Sequence, residues 1–295
     1  HSKNQETFLN DKKKDFELLK KLCEQGLPYR YPNPNKIILN RIKKELNIIH
    51  QKTFISYFLI NWEITNYARS KGYFYIGRGS GANSIIAYLL KITDVDPIEL
   101  DLYFERFINF YRETPPDFDL DFSWRDRNDI INYIFKRFPH TALITVYNTF
   151  QYRASIRELG KVFGLPKYEI DLISKGAATQ KNSFDKLSKL VINYAKRLEG
   201  FPNYLGIHAG GIVISERPIN YYTATFMSQK GYATTHFDMM TAEDIGLYKF
   251  DILSQRGLGK IKDAISVIAK NHPNMSPIDI HDVKRFKSDK KIKKI

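Results

Sequence analysis

Residues 116–122 read Pro-Asp-Phe-Asp-Leu-Asp-Phe, a strict alternation of acid and large apolar side chain. In an extended strand, side chains two apart share a face. Asp117, Asp119 and Asp121 therefore line one side, and Phe118, Leu120 and Phe122 the other. Three stacked carboxylates repel and shift one another's pKa values, and strands disfavour Asp to begin with. Such a face needs cations, and hard oxygen donors at this spacing suit Mg²⁺ or Mn²⁺. An edge strand kept soluble by its charges would share the pattern, but the bulky apolar back face demands burial, which favours metal. Two divalent ions roughly 4 Å apart can activate an attacking hydroxyl and stabilise the leaving oxygen of an in-line phosphoryl displacement. That geometry calls for a further carboxylate on a neighbouring strand. The stretch Tyr248-Lys249-Phe250-Asp251-Ile252 offers one, with Lys249 and Asp251 projecting together. Lys249 would hold a phosphate oxygen or neutralise the acids.

Upstream, Gly77-Arg78-Gly79-Ser80-Gly81-Ala82-Asn83-Ser84 joins a short aromatic strand to a helix-forming run. Glycines there let backbone amides and a helix start approach phosphates. The spacing fits neither a Walker loop nor a dinucleotide fingerprint. A tight strand-to-helix connection would also use glycine, but Arg78, Ser80 and Ser84 add donors that a purely structural turn does not need.

The elements that must carry these groups can be placed from periodicity. Helical spacing covers residues 8–24, 36–50 and 54–69, with a proline-punctuated connection over 27–34. Strands are predicted at 73–76, 117–122, 142–147, 211–215 and 247–252, with a helix over 128–138. From residue 151 to about 201 the chain is helical and rich in Lys and Arg, as an inserted subdomain would be. Lys plus Arg number 46 against 32 Asp plus Glu, a formal charge of +14, which favours an anionic partner such as nucleic acid. No apolar run approaches the roughly 20 residues of a membrane span, no signal peptide opens the chain, and the single Cys23 excludes an internal disulfide. A cytoplasmic setting is the default. His1-Ser2 reads as a tag remnant and the basic tail from residue 284 has no capping signal, so a fragment of a longer protein is expected.

The order of turn, Asp-x-Asp strand and later single-acid strand resembles the nucleotidyltransferase fold of the DNA polymerase beta type. More specifically, the chain resembles the bacterial DNA polymerase III alpha subunits, the C-family replicative polymerases. The resemblance rests on Ile76-Gly77-Arg78-Gly79-Ser80-Gly81, Leu90 through Pro97 (Leu-Lys-Ile-Thr-Asp-Val-Asp-Pro), Phe104-Glu105-Arg106-Phe107-Ile108-Asn109 and the acidic stretch. It continues through Leu159-Gly160-Lys161-Val162, Arg197-Leu198-Glu199-Gly200, His208-Ala209-Gly210-Gly211-Ile212-Val213-Ile214 and Lys249-Phe250-Asp251, in order along most of the chain. Leu120 stands where the family more often has Val.

The resemblance implies an α+β fold: a polymerase-beta-like palm, a mixed sheet with helices, interrupted by an inserted helical thumb. Palm would occupy residues 1–150 and 204–257, thumb 151–203, and truncated fingers 258–295. It implies Asp119, Asp121 and Asp251 as catalytic acids holding two Mg²⁺ ions (or Mn²⁺), with Asp117 supporting. Gly79, Ser80, Arg78 and Lys249 would contact the triphosphate, and Tyr152, Arg153, Arg157 and Lys161 would offer the thumb to primer–template DNA. His208-Ala-Gly-Gly reads as a close backbone approach with a structural histidine. The implied activity is template-directed addition of deoxynucleotides from dNTPs to a primer 3′ end. The parent protein would join a nucleoid-associated replisome with sliding clamp, clamp loader and proofreading exonuclease, and the piece alone would have weak or no activity. A template-independent nucleotide adder on the same fold, or a non-catalytic binding module, are the alternatives the residues leave.

Overall fold

In a computed structural model, the structure describes residues 3–106, 108, 117–175 and 185–288. Phe107, Asn109 and Pro116 of the matching stretches, residues 176–184 of the inserted segment and residues 289–295 of the tail lie outside the described residues. The fold is mixed α/β around a seven-stranded sheet. Its strands are β1 (Tyr75–Arg78), β2 (Asp119–Ser123), β3 (Thr141–Thr149), β4 (Pro202–Ile214), β5 (Thr225–Met227), β6 (Ala233–Asp238) and β7 (Lys249–Gln255), in the order β1-β2-β7-β4-β3-β6-β5. β1 and β4 run antiparallel to their neighbours β2 and β7, whereas β2 and β7 are parallel. The chain divides into two compact units, His1–Ile144 with His208–Ile295, and Thr145–Ile207. The boundaries fall inside β3 and β4.

In the first unit, α1 (Lys12–Arg30), α2 (Lys36–Gln51), α3 (Ile55–Ser70), α4 (Ile85–Leu89) and α5 (Arg127–Arg137) share one core with the apolar faces of β2 and β7. α3 is the central piece, burying Tyr57, Phe58, Leu59, Ile60 and Ile64. Tyr57 stacks on Phe118 at 5.7 Å and meets Phe250 at 4.8 Å between ring centres, so one aromatic ring braces both acid-bearing strands from behind. Its buried hydroxyl lies 3.4 Å from the Lys249 carbonyl and 3.5 Å from the Phe118 N–H.

Several boundaries differ from the sequence expectations, for tertiary reasons. α1 runs through Pro28 to Arg30 where a connection was expected. Arg30 is buried and donates to the Tyr88 and Thr93 carbonyls and to Asp94, at 2.8–3.0 Å, which anchors that last turn. Pro28 forgoes its N–H bond to the carbonyl four residues back and crowds that carbonyl, and the buried Arg30 bonds offset that cost. β1 begins two residues later than expected and includes Arg78, and β4 extends to 13 residues. The expected helix after the glycine turn is a 3-10 turn (Ser80–Asn83) followed by the five-residue α4. Strands β5 and β6 were missed altogether; they are short and partly buried, and their residues alternate weakly.

The second unit carries α6 (Tyr152–Val162), α7 (Lys167–Ser174) and α8 (Lys186–Leu198) around Ile156, Leu165, Ile170, Ile173, Val191 and Ala195. α9 (Met239–Asp244) lies between β6 and β7 in the chain, and α10 (Arg256–Asn271) and α11 (Val283–Ser288) follow β7. Among the described residues, no helix is long and apolar enough to cross a membrane.

One buried network ties α2 to the start of α4. Glu45, wholly buried, accepts from Arg41 Nε at 2.6 Å and from Ser84 Oγ at 2.8 Å. Arg41 also donates to the Asn83 and Leu102 carbonyls, and Ser84 caps α4 by accepting from Ala87 N–H. Burial raises the Glu45 pKa in spite of the Arg41 and Ser84 bonds. The folded chain therefore binds that proton more readily than the unfolded chain. The associated stability is full below the ordinary glutamate range and is lost as pH rises through the folded value. Glu45→Ala is expected to cost about 3 kcal/mol, because it strands a buried hydroxyl and a largely buried guanidinium. Glu45→Gln should cost less and flatten the decline in stability toward high pH, both read from urea unfolding across a pH series.

Candidate active site

Strand pairing brings the acids together. β2 and β7 align Asp119 with Asp251, and Asp121 lies two residues further on the same face of β2. Asp121 and Asp251 are buried, and Asp119 is partly covered. Leu120, Phe122, Phe250 and Ile252 point the other way, into the core around α3. That burial of the back faces is what compels the carboxylates to share the front. Asp117 precedes the strand and is exposed.

The edge strand β1 closes the acidic face. Its register sets Ile76 opposite Asp121 and Arg78 opposite Asp119. Arg78 Nε donates to Asp121 Oδ2 at 2.5 Å, its NH2 lies 3.4 Å from Asp121 Oδ1, and its NH1 donates to Asp119 Oδ2 at 2.8 Å. One guanidinium thus spans two carboxylates. The bond to Asp121 holds Arg78 above its already high pKa. Lys249 Nζ pairs with Asp251 Oδ2 at 2.8 Å and lies 3.5 Å from Met239 Sδ. Burial opposes charge on Lys249, but the Asp251 bond prevails and its pKa is raised. Asp119 is pushed above the usual aspartate value by desolvation; Arg78 opposes this, while the Asp251 and Asp117 charges add to it.

The glycine turn is fastened to the same strand. Gly81 N–H donates to the Asp117 carbonyl at 2.9 Å, and Asp117 N–H donates to Ser80 Oγ at 3.1 Å. Gly79 holds φ +87° and ψ −166°, a conformation essentially reserved for glycine. A Cβ there would stand 2.9 Å from the Asp117 carbonyl oxygen and 3.1 Å from Asp119 Oδ2. Gly79, Ser80, Arg78, Lys249 and the three acids therefore form one cluster on one sheet face. Ser84, which seemed from spacing to be available to a phosphate, is instead fully buried and committed to Glu45 and the α4 cap. Arg78, read as part of the turn, is a strand residue whose donors face the acids.

His208 Nδ1 accepts from Gly211 N–H at 2.7 Å and lies 3.3 Å from Gly210 N–H. That lone pair is engaged, so the 4.0 Å approach of Nδ1 to Asp251 Oδ1 supplies no proton between them. Asp251 Oδ1 is buried and has no hydrogen-bond partner among the described residues. A buried carboxylate oxygen without a donor is what a missing cation would leave. The carboxylate donor set and that open oxygen suit a hard divalent cation in chemistry, but among the described residues no group of three or more His, Cys, Asp or Glu side chains is placed to hold a metal ion.

Two contributors escaped sequence reading. Arg127 donates to the Ile252 carbonyl at 2.7 Å and the Ala209 carbonyl at 2.6 Å, holding β7 and β4 behind the acids. Burial lowers its pKa. Glu45 anchors the far end of the turn. An i, i+4 Arg41–Glu45 pair signalled only a helix surface contact, and Arg127 carried no signal at all. In the second unit, Arg153, Arg157 and Lys161 lie on the exposed side of α6, with Arg157 3.3 Å from Asp171 and Lys161 2.8 Å from Glu158. Tyr152 leans into the core of that unit.

The family model of the bacterial DNA polymerase III alpha NTPase domain matches residues 17–254. The chain is 35% identical over 267 residues to an error-prone DNA polymerase of Symbiobacterium thermophilum, covering 84% of this chain and 25% of that protein. It is 35% identical over 293 residues to the DNA polymerase III subunit alpha of Bacillus subtilis, and 36% over 294 residues to that of Halalkalibacterium halodurans, each alignment covering 92% of this chain and 26% of the relative. The class these findings define is the alpha-subunit type of bacterial polymerase, and the chain belongs to the bacterial DNA polymerase III alpha family. It spans about a quarter of the length of the curated relatives it matches.

Gly79→Ala is expected to lower stability by about 1–3 kcal/mol through backbone strain and to displace the Asp119 carboxylate, seen as a lowered melting temperature and lost Mn²⁺ binding. Asp119→Asn removes a carboxylate that the fold holds against its preference. In EDTA the variant should melt at or above the wild-type temperature while losing Mn²⁺ affinity, a combination measurable by scanning calorimetry and Mn²⁺ electron paramagnetic resonance.

Proposed function

We propose that this chain is the catalytic segment of a DNA-directed DNA polymerase acting in replication, a nucleotidyltransferase that adds deoxynucleotides to a primer 3′ end under template direction. The observation that supports it best is the in-register parallel pairing of Asp119 with Asp251, beside Asp121 and a glycine-serine turn bonded to the same strand. In this reading the first unit is a polymerase-beta-like palm and the second an inserted thumb.

Asp119, Asp121 and Asp251 would hold two Mg²⁺ ions, or Mn²⁺ in their place, and these would supply Lewis-acid activation of the primer hydroxyl and charge stabilisation at the leaving pyrophosphate. The remaining work falls to the chain. Gly79 and Ser80 offer backbone and hydroxyl donors to the triphosphate, and Arg78 and Lys249 are within the same cluster to take its non-bridging oxygens. The primer 3′ hydroxyl gives up its proton to solvent and its oxygen bonds to the α-phosphorus, as the bond from that phosphorus to the bridging oxygen breaks and pyrophosphate departs. Tyr57 and Arg127 keep β2, β7 and β4 in fixed register, which matters because small displacements of reacting groups are costly in rate. Arg153, Arg157 and Lys161 would bind primer–template phosphates, Tyr152 contributing mainly packing.

The alignments cover about a quarter of the relatives; in this reading base selection and contacts to the sliding clamp, clamp loader and proofreading exonuclease would fall to the parts of such proteins that this chain does not match, and the chain by itself should extend primers weakly or not at all. In the full-length polymerase, Asp119→Asn, Asp121→Asn and Asp251→Asn should each lower extension by roughly a thousandfold or more, on the order of several kcal/mol of lost metal stabilisation. Primer–template affinity should hold within a few-fold. Near-normal extension by any of the three would remove it from the catalytic set. Products independent of template sequence would favour a template-independent nucleotide adder.

A further inference from the structure

We propose that Arg78 is a resident counter-ion of the acidic cluster, competing with divalent cations for Asp119 and Asp121 and released to the triphosphate when they bind. The inference rests on the reading that those acids hold metal.

Asp121 is only 2% exposed, and both of its oxygens face the Arg78 guanidinium. The same guanidinium takes Asp119 Oδ2. N–H groups aimed at those oxygens take up acceptor sites and space that an ion would use, so a cation binding Asp121 competes with Arg78. Arginine does not deprotonate in proteins, and withdrawal is therefore a movement of the side chain. Lys249 is placed differently: it takes one oxygen of Asp251 and leaves Oδ1 without a partner among the described residues. One resident cation blocks the shared carboxylates while the other leaves a ligand atom open.

The fold makes such a movement cheap. β1 begins the strand order, pairs with β2 alone among the named strands, and carries Arg78 at its last position with a 49% exposed side chain. Nothing in the core has to repack for a rotamer change there. Next to it Gly79, lacking a Cβ, leaves the space beside Asp119 Oδ2 clear. Charge favours the exchange in both directions. Among the described residues, the Lys and Arg partners of Asp119, Asp121 and Asp251 are Arg78 and Lys249 alone, two cations for three acids. Incoming divalent ions replace the guanidinium and repel it, and the triphosphate that follows offers oxygens suited to its bidentate donors. Metal and nucleotide would therefore bind cooperatively, each favouring the state in which Arg78 has left the aspartates.

The test uses this chain with Mn²⁺ as the probe, titrated by electron paramagnetic resonance without nucleotide. Arg78→Ala should bind Mn²⁺ about tenfold more tightly than wild type, and Arg78→Lys should fall between, since one ammonium cannot span both carboxylates. In EDTA, Arg78→Ala should melt below wild type and then gain more from Mn²⁺. With Mn²⁺ saturating, a fluorescent dNTP should bind wild type severalfold more tightly than Arg78→Ala. Opposite signs for metal and nucleotide are what a merely structural arginine would not produce, because misfolding weakens both. Unchanged or weaker Mn²⁺ binding by Arg78→Ala overturns the competition, and equal dNTP binding overturns the handover. Asp119→Asn separates the two levels: if it binds Mn²⁺ like wild type, the metal-site reading itself fails, whatever Arg78 does.

Discussion

Negative charge concentrated on one face of a paired strand is the constraint to which the rest of this structure answers. Asp119, Asp121 and Asp251 share that face because the alternate residues of β2 and β7 are large and apolar and must be buried against α3. Repulsion among the acids is offset locally by two cations, Arg78 from the edge strand and Lys249 from β7 itself. The hydrophobic effect thus assembles a set of charges that electrostatics would disperse.

Support for the face comes in layers, each with its own physical basis. Tyr57 braces Phe118 and Phe250 through ring contacts, which resist the sliding of one strand past the other. Arg127 ties β7 to β4 through carbonyls, a use of guanidinium that needs no acid partner. On the other side, the turn is fixed at both ends, by Asp117 near Ser80 and Gly81 and by the Glu45–Ser84 bond at the start of α4. A buried ionic pair such as Arg41–Glu45 adds little net stability over an apolar alternative. Its value here is positional, since it holds a glycine-rich segment whose own backbone preferences are weak.

Much of this was legible in the residues. The alternation over 117–122 stated which side chains share a face, and the Lys249–Asp251 repeat identified the companion strand, because strand periodicity is a local property of two-residue spacing. The glycine turn was recognisable from composition, and the long α3 and the helical segment from 151 onward from apolar and charged periodicity. Less was legible where tertiary contact overrides local preference. Pro28 lies within a helix because Arg30 is clamped to Tyr88, Thr93 and Asp94. Ser84 looked like a ligand donor, yet a glutamate nearly forty residues away in sequence claims it. β5 and β6 are held by their neighbours more than by their own pattern.

The amino-acid sequence by itself thus determined the chemistry on offer: which acids share a strand face, which lysine accompanies the third, and where backbone can approach closely. Those follow from covalent spacing and from the period of extended chain. Only the tertiary structure decided that β2 and β7 are parallel with Asp119 opposite Asp251, that Arg78 belongs to a strand and bridges two aspartates, and that one oxygen of Asp251 is left buried without a donor. Register between distant strands and the ownership of a hydrogen-bond donor depend on packing between segments far apart in the chain, and no local pattern encodes them.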